Sequence, residues 1–275
     1  MLREMGLAPL WRLRSRASQH AILPCAARLH SEPDPTPVVA PQQAGTRAVD
    51  HGRENVPEVG ELRDAGAPVQ PAVGSPAPDL RERASRIAGM DWDALEADIR
   101  ACEACALCRQ RKQAVPGIGD RQADWMFVGE GPGAEEDRRG EPFVGPAGKL
   151  LDAMLAAIGL QRDNNVYIAN AVKCRPPHNR TPEADEIAAC HPYLERQIQL
   201  VRPRLLIALG RPAAQALLGT EIKINAARGK IFDRGGIPVV VTYHPAYLLR
   251  NPADKAKAWE DLCFARAIAA GEVSL

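Results

Sequence analysis

Trp125-Met126-Phe127-Val128 runs straight into Gly129-Glu130-Gly131-Pro132-Gly133, and Val239-Val240-Val241-Thr242-Tyr243 runs straight into His244-Pro245-Ala246-Tyr247-Leu248-Leu249-Arg250. In both places an unbroken apolar run gives way to a polar loop. Such runs are the mark of strands buried on both faces, as in a parallel sheet covered by helices. In an open parallel sheet ligands bind beyond the carboxyl ends of the strands. Two loops far apart in sequence can therefore face one pocket.

Working outward, Val166-Tyr167-Ile168-Ala169, ending at Asn170, and Leu205-Leu206-Ile207-Ala208-Leu209, turned by Gly210, read as two further strands. Between them lie helical patterns. Asp91 can cap a helix carrying Trp92, Leu95 and Ile99 on one stripe. A glycine-rich loop is expected up to Gly145, then a helix with Leu150, Leu151, Met154, Leu155 and Ile158 in register, ended by Gly159. Thr181 is the expected cap of a helix running to Leu200, with a kink or break at Pro192. A last helix covers roughly residues 255–269. Strands alternating with helices predict an α/β fold with helices on both faces of a parallel sheet.

Composition bounds the folded part. No Phe, Trp or Tyr occurs between Arg12 and Asp91, and residues 31–80 contain nine prolines. Such a segment cannot bury enough apolar surface to offset its ordering entropy. Residues 1–90 are therefore expected to be a disordered extension and residues 91–275 the domain. The first 30 residues carry five arginines and one acid, Glu4, a composition like that of a transit peptide. No apolar run is long enough to span a membrane. The net charge of +1 neither favours nor excludes nucleic acid.

Of seven cysteines, Cys102, Cys105 and Cys108 fall within seven residues, and Cys174 and Cys190 lie 16 apart. Four thiolates from two places can clip the N-terminal helix onto the domain. Zinc and a [4Fe-4S] cluster both use four cysteines. Spacing alone leaves open which metal is held, and whether Cys102/Cys105 or Cys105/Cys108 supplies the first pair.

Gly129, Gly131 and Ala134 also fit a loose dinucleotide pattern. That reading needs a helix opening at once, to place its N-terminus at a pyrophosphate. The carboxylates of Glu135, Glu136 and Asp137 argue against an anion there.

Taken together, Gly129–Asp137, then Glu141-Pro142-Phe143-Val144-Gly145, then Lys173-Cys174-Arg175-Pro176-Pro177, then His244–Pro252 resemble the family 4, iron–sulfur type of uracil-DNA glycosylase. The likeness covers about residues 95–270. It implies a three-layer α/β/α sandwich around a central four-stranded parallel sheet. It also implies a [4Fe-4S] cluster on Cys102, Cys105, Cys174 and Cys190, with Cys108 extra. A related cross-linking subgroup carries a basic insert with a reactive His after the second strand. This chain has Arg175–Arg180 there without that insert, so a turnover enzyme is expected.

The chemistry implied is hydrolysis of the N-glycosidic bond of uracil in DNA, a monomer acting in the cytoplasm at the nucleoid. The base must leave the stack and enter a pocket. Phe143 is suited to stack on it. Asn170 can donate and accept, as uracil O4 and N3–H require. His244 is the candidate donor to uracil O2, stabilising the leaving anion, and the main chain at Glu130 and Gly131 can hold the base from the other side. The resemblance gives Glu136, and Asn179 as a second, the role of orienting or activating water. Arg228, Lys230 and Arg250 are candidate phosphate contacts, and Leu249 a wedge for the vacated stack.

Overall fold

The structure, a computed structural model, describes residues 80–273. The expected extension up to residue 79, Cys25 included, lies outside the described residues.

In chain order the elements are α1 (Leu80–Ala88), α2 (Trp92–Ala101), β1 (Ile118–Gly119), β2 (Trp125–Gly129), α3 (Ala134–Arg139), α4 (Pro146–Ala157) and β3 (Val166–Asn170), followed by α5 (Ala184–Val201), β4 (Leu205–Leu209), α6 (Arg211–Leu218), α7 (Ile224–Ala227), β5 (Ile231–Arg234), β6 (Ile237–Thr242), α8 (Pro245–Arg250) and α9 (Lys255–Ala269). The sheet order is β1-β3-β2-β4-β6-β5. β3, β2, β4 and β6 are mutually parallel, so the expected four-stranded parallel sheet forms the centre. The whole is a six-stranded mixed sheet, because β1 and β5 add antiparallel edges. The chain reverses its direction of strand addition between β2 and β4. The crevice beyond their carboxyl ends is the topological switch point where α/β sheets bind ligands.

Alternate strand residues separate into two cores. Met126, Val128, Leu206, Ala208, Val239 and Val241 pack with Leu194 and Ile198 of α5 and Leu217 of α6. Phe127, Ile168, Leu205, Ile207 and Val240 pack with Leu151 and Leu155 of α4 and Leu262 of α9. This gives the three-layer sandwich. Each such Leu, Ile or Phe stabilises the fold by about 1.5–3 kcal/mol through burial.

Four local expectations need correction. α1 precedes the expected boundary at residue 91 and packs on α5, its Ile87 fully buried beside Leu95 and Ile99. The glycine loop is not wholly irregular, since α3 opens directly after Gly133 with three carboxylates in its first turn. α5 starts at Ala184 rather than after Thr181. Glu183 is its N-cap, and its backbone N–H donates to Glu186 at 2.8 Å. α5 also continues through Pro192, where packing along its buried face outweighs one lost backbone bond. Asp91 caps α2 as expected, accepting from the Ala94 N–H at 2.9 Å. Among the described residues no helix is long and apolar enough to cross a membrane.

Candidate active site and cysteine cavity

The loops after β2, β3 and β6 meet at the switch point. The Ala171 N–H donates to the Gly129 carbonyl at 2.9 Å and the Val172 N–H to the Glu130 carbonyl at 3.2 Å, which zips the loop after β2 to the loop after β3. Gly129 is needed for this closeness: a Cβ there would collide with Asn170 Oδ1 and would lie 2.6 Å from Phe143 Cζ. Asn170 and Phe143 are thus packed over one backbone position. The Phe143 ring stacks at 5.4 Å between centroids on His244. Asn170, Phe143 and His244, drawn from three separate segments, form one constellation.

Asn170 is 2% exposed, and its Oδ1 has no hydrogen-bond partner. An unmet buried acceptor costs about 1–3 kcal/mol, so its persistence points to a donor brought by a ligand. The Asn170 carbonyl is fixed separately, by Lys173 Nζ at 2.8 Å.

His244 N-caps α8. The Ala246 N–H donates to His244 Nδ1 at 3.1 Å, so Nδ1 is the bare nitrogen and the proton sits on Nε2. Burial, and then the charge of Arg250, push its pKa down to about 4, against a weaker pull from Glu136. His244 is therefore a neutral donor at pH 7.

Glu136 is held by main-chain donors. Its Oε1 accepts from the Val144 N–H at 2.9 Å and the Gly145 N–H at 3.1 Å, and its Oε2 from the Gly133 N–H at 3.1 Å. It ties the start of α3 to the Phe143 loop. Asn179 is exposed on the loop after β3, with Oδ1 accepting from Arg175 Nε at 2.7 Å.

The phosphate candidates divide. Lys230 and Arg250 are exposed, as is Leu249 at 43%. Arg228 turns inward: its Nε meets Asp261 at 2.8 Å, Nη2 donates to the Lys257 carbonyl, and the guanidinium lies over the Tyr243 ring. Asp261 also accepts from Thr242 Oγ1 at 2.7 Å. Arg228 is thus a packing residue, because a buried Asp261 requires a partner. Sequence reading missed Arg211, exposed directly after Gly210 at the end of β4, although the rule that strand ends bear ligands points to it. Burial raises the Glu130 carboxyl, opposed by a Thr181 hydrogen bond and by the charges of Arg211 and Arg250.

Cys102, Cys105, Cys174 and Cys190 line one cavity with Ile99 and Tyr193, and Cys108 lines it too. Three donors point at sulfur: Arg83 Nη2 to Cys102 at 3.5 Å, Arg111 Nη1 to Cys174 at 3.0 Å, and the Lys173 N–H to Cys190 at 3.2 Å. Burial pushes the Cys190 thiol up to about 12 and raises Cys174 and Cys105 as well. A bound metal reverses that, since thiolate is the ligating form. The donor set, all sulfur with N–H bonds to it and arginines nearby, fits a four-thiolate group. Among the described residues no three His, Cys, Asp or Glu side chains close on a point for a single ion.

Residues 116–263 match the model of the uracil DNA glycosylase superfamily. The chain belongs to that superfamily. Among its curated relatives, the type-4 uracil-DNA glycosylase of Pyrobaculum aerophilum is 45% identical over 181 residues, 63% of this chain and 92% of that protein. The type-4 enzyme of Archaeoglobus fulgidus is 44% identical over 168 residues, covering 58% and 84% of the two chains. That of Saccharolobus solfataricus is 46% identical over 178 residues, covering 62% and 82%. The glycosylase-superfamily match spans β2 to β6, and so includes Asn170, Phe143, His244 and the second cysteine pair.

Proposed function

We propose that this chain is a DNA-repair hydrolase that removes uracil from DNA as the free base and leaves an abasic site. The observation that carries this is the orphaned Asn170 Oδ1, buried beside an aromatic ring and a neutral imidazole donor. Uracil N3–H supplies the missing donor, and Asn170 Nδ2 can donate to uracil O4. Cytosine presents the opposite pattern at both atoms, so it leaves buried groups unpaired.

The base leaves the stack and enters the pocket against Phe143. The bond between uracil N1 and the sugar C1′ breaks with its electron pair going to uracil. His244 Nε2–H, aimed at O2, stabilises the negative charge that develops. The sugar, now electron-poor, is attacked by water, which gives up a proton to solvent as the C–O bond forms, and the uracil anion takes one proton from solvent to leave as the neutral base. With Glu136 committed to three backbone N–H groups, its contribution is to hold Phe143 and the entry to α3. Exposed Arg250, Lys230 and Arg211 are suited to backbone phosphates, and Leu249 to the gap left by the base.

The cysteine cavity would hold a [4Fe-4S] cluster on Cys102, Cys105, Cys174 and Cys190. Such a cluster would supply structural cross-linking, tying α2 to α5 and the loop after β3, with Cys108 spare. The proposed setting is the cytoplasm, where a monomer works on nucleoid DNA.

The test is strand scission of an oligonucleotide with one uracil, after alkali. Wild type should cleave at uracil and not at cytosine, and Asn170→Asp should lose most uracil excision. Undiminished excision by Asn170→Asp would remove Asn170 from base reading. No cleavage by wild type that still binds the oligonucleotide would make the protein a non-catalytic binder.

A further inference from the structure

Phe143 has a backbone φ of 55°, in the left-handed region that a bulky aromatic residue rarely enters. Such strain persists only where the surroundings over-determine it, and it gathers at functional sites. Here three grips hold the peptide groups on either side of Phe143. Arg162 donates from Nη1 to the Pro142 carbonyl at 3.0 Å and from Nη2 to the Phe143 carbonyl at 2.6 Å. Glu136 holds the two N–H groups that follow, those of Val144 and Gly145. Gly148, in the first turns of α4, leaves the notch in which the Phe143 carbonyl lies, and a Cβ there would collide with it.

Arg162 is itself aimed. Its Nε meets Asp152 Oδ1 at 2.5 Å, so α4 orients the guanidinium while the fork grips two successive carbonyls. A planar fork with fixed donors suits this task, and a lysine would not reproduce it. Two opposed charges, Arg162 on carbonyls and Glu136 on N–H groups, thus pin one short segment from both sides. A surface bend needs no such restraint. A stacking platform does, because the ring plane follows the backbone and χ1, and a relaxed φ would swing the ring off Gly129 and His244.

We propose that Arg162, oriented by Asp152, is a positioning residue that locks Phe143 in its left-handed bend and so presets the plane on which the extruded base stacks. The inference rests on reading Phe143 as the platform for uracil, and the experiment separates the two. Two oligonucleotides serve as probes: one carries a 2′-fluoro-2′-deoxyuridine, which keeps its base, and the other a tetrahydrofuran abasic-site analogue, which has none. Only the first can gain from stacking.

Arg162→Met keeps the aliphatic stem and drops both donors. It should weaken binding of the fluorouridine probe by about 10-fold, the lower end of what one base–aromatic stack contributes. Binding of the abasic probe should stay within about 2-fold, and Arg162→Lys should fall between. Asp152→Ala, at a half-exposed side chain that orients Arg162, should show the same split to a smaller degree and covers the case in which Arg162→Met fails to fold. Equal loss on both probes would make Arg162 a mere support of the fold, and no loss on either would remove it altogether; both overturn the inference. Wild type that binds the two probes equally overturns the Phe143 platform first, and the inference with it.

Discussion

The cysteine cavity and the Asn170, Phe143 and His244 constellation are joined through Lys173, and they are built by opposite means. The cavity gathers side chains of one chemical type from the segment just after α2, from α5 and from the loop after β3, and hydrogen bonds from Arg83, Arg111 and the Lys173 main chain converge on its sulfurs. The pocket gathers unlike side chains at the ends of parallel strands, and residues outside it do the holding: Glu136 and Arg162 for Phe143, Lys173 for Asn170. A site made of one repeated side chain depends on all its members together. A site made of unlike groups can lose one function and keep its shape. Damage to the cavity should therefore act through folding, and damage to the pocket through chemistry alone.

The largest effect is expected in the cavity. Cys190→Ser should abolish iron binding and the visible absorption of anaerobically purified protein, and should lower the thermal midpoint with it, because four thiolates hold such a cluster. Uracil excision should fall only as far as the folded fraction falls. Cys108→Ser should leave iron in place. Stoichiometric zinc in place of iron would mean that the metal is misassigned, and iron lost on replacing Cys108 that the ligand set is.

His244→Ala should do the reverse. Single-turnover excision should drop by about 10²-fold or more, the usual loss for one donor to a developing oxyanion. Iron content and DNA affinity should hardly move, since the bond strengthens as charge develops, and the thermal midpoint should fall only by what the lost α8 cap contributes, about 1 kcal/mol. A large fall in midpoint would erase the contrast between the two sites.

This contrast also explains what was legible in the sequence. Buried parallel strands are continuous apolar runs, so β2, β3, β4 and β6 could be read directly, and so could cysteines close together. The edges were not legible: β1 has two residues and β5 four, and only pairing with β3 and β6 makes them strands. Side-chain direction was not legible either. Arg228 looked like a phosphate contact because it lies in a polar loop, yet it turns to Asp261, more than thirty residues on. The resemblance singles out Glu136, but not the three main-chain N–H groups that its oxygens accept from. Arg162 belongs to no motif, and only the bend at Phe143 reveals it.

Lys173 is where the two regions touch, and it should give an intermediate effect. It is 1% exposed; its N–H donates to Cys190, and its Nζ donates to the Asn170 carbonyl at 2.8 Å and to Gln197 Oε1 at 2.6 Å. Lys173→Met fills much the same volume but leaves two acceptors without that donor, at about 1–3 kcal/mol each. A loss of that order in unfolding free energy should come with about 10-fold slower excision and unchanged iron, because the main-chain bond to Cys190 survives. If excision stays at wild-type rate, Lys173 serves the cavity alone and does not set Asn170.

The smallest expected effect is a flat line, and it bears most directly on how the pocket works. His244 can help uracil depart as a neutral Nε2–H donor or as a cation. Geometry favours the first, since the Ala246 N–H occupies Nδ1 and leaves the single ring proton on Nε2. Burial, with Arg250 second, holds the pKa at about 4, below the ordinary value of about 6.5. Between these two values the unfolded chain binds a proton that the folded chain does not. This group's contribution to stability is therefore complete above about pH 6.5 and is lost as pH falls toward 4. For the reaction, kcat/KM should change by less than about 2-fold between pH 6 and 8 on account of His244, with an acid limb only as pH approaches 4. A catalytic imidazolium would instead lose about tenfold per pH unit above its own pKa. Chemical-shift titration of His244 in the intact protein, beside the rate profile, decides between them. A ring still protonated at pH 6, or a rate falling steadily from pH 6 to 8 in wild type and not in His244→Ala, would make the donor a cation and the neutral tautomer wrong.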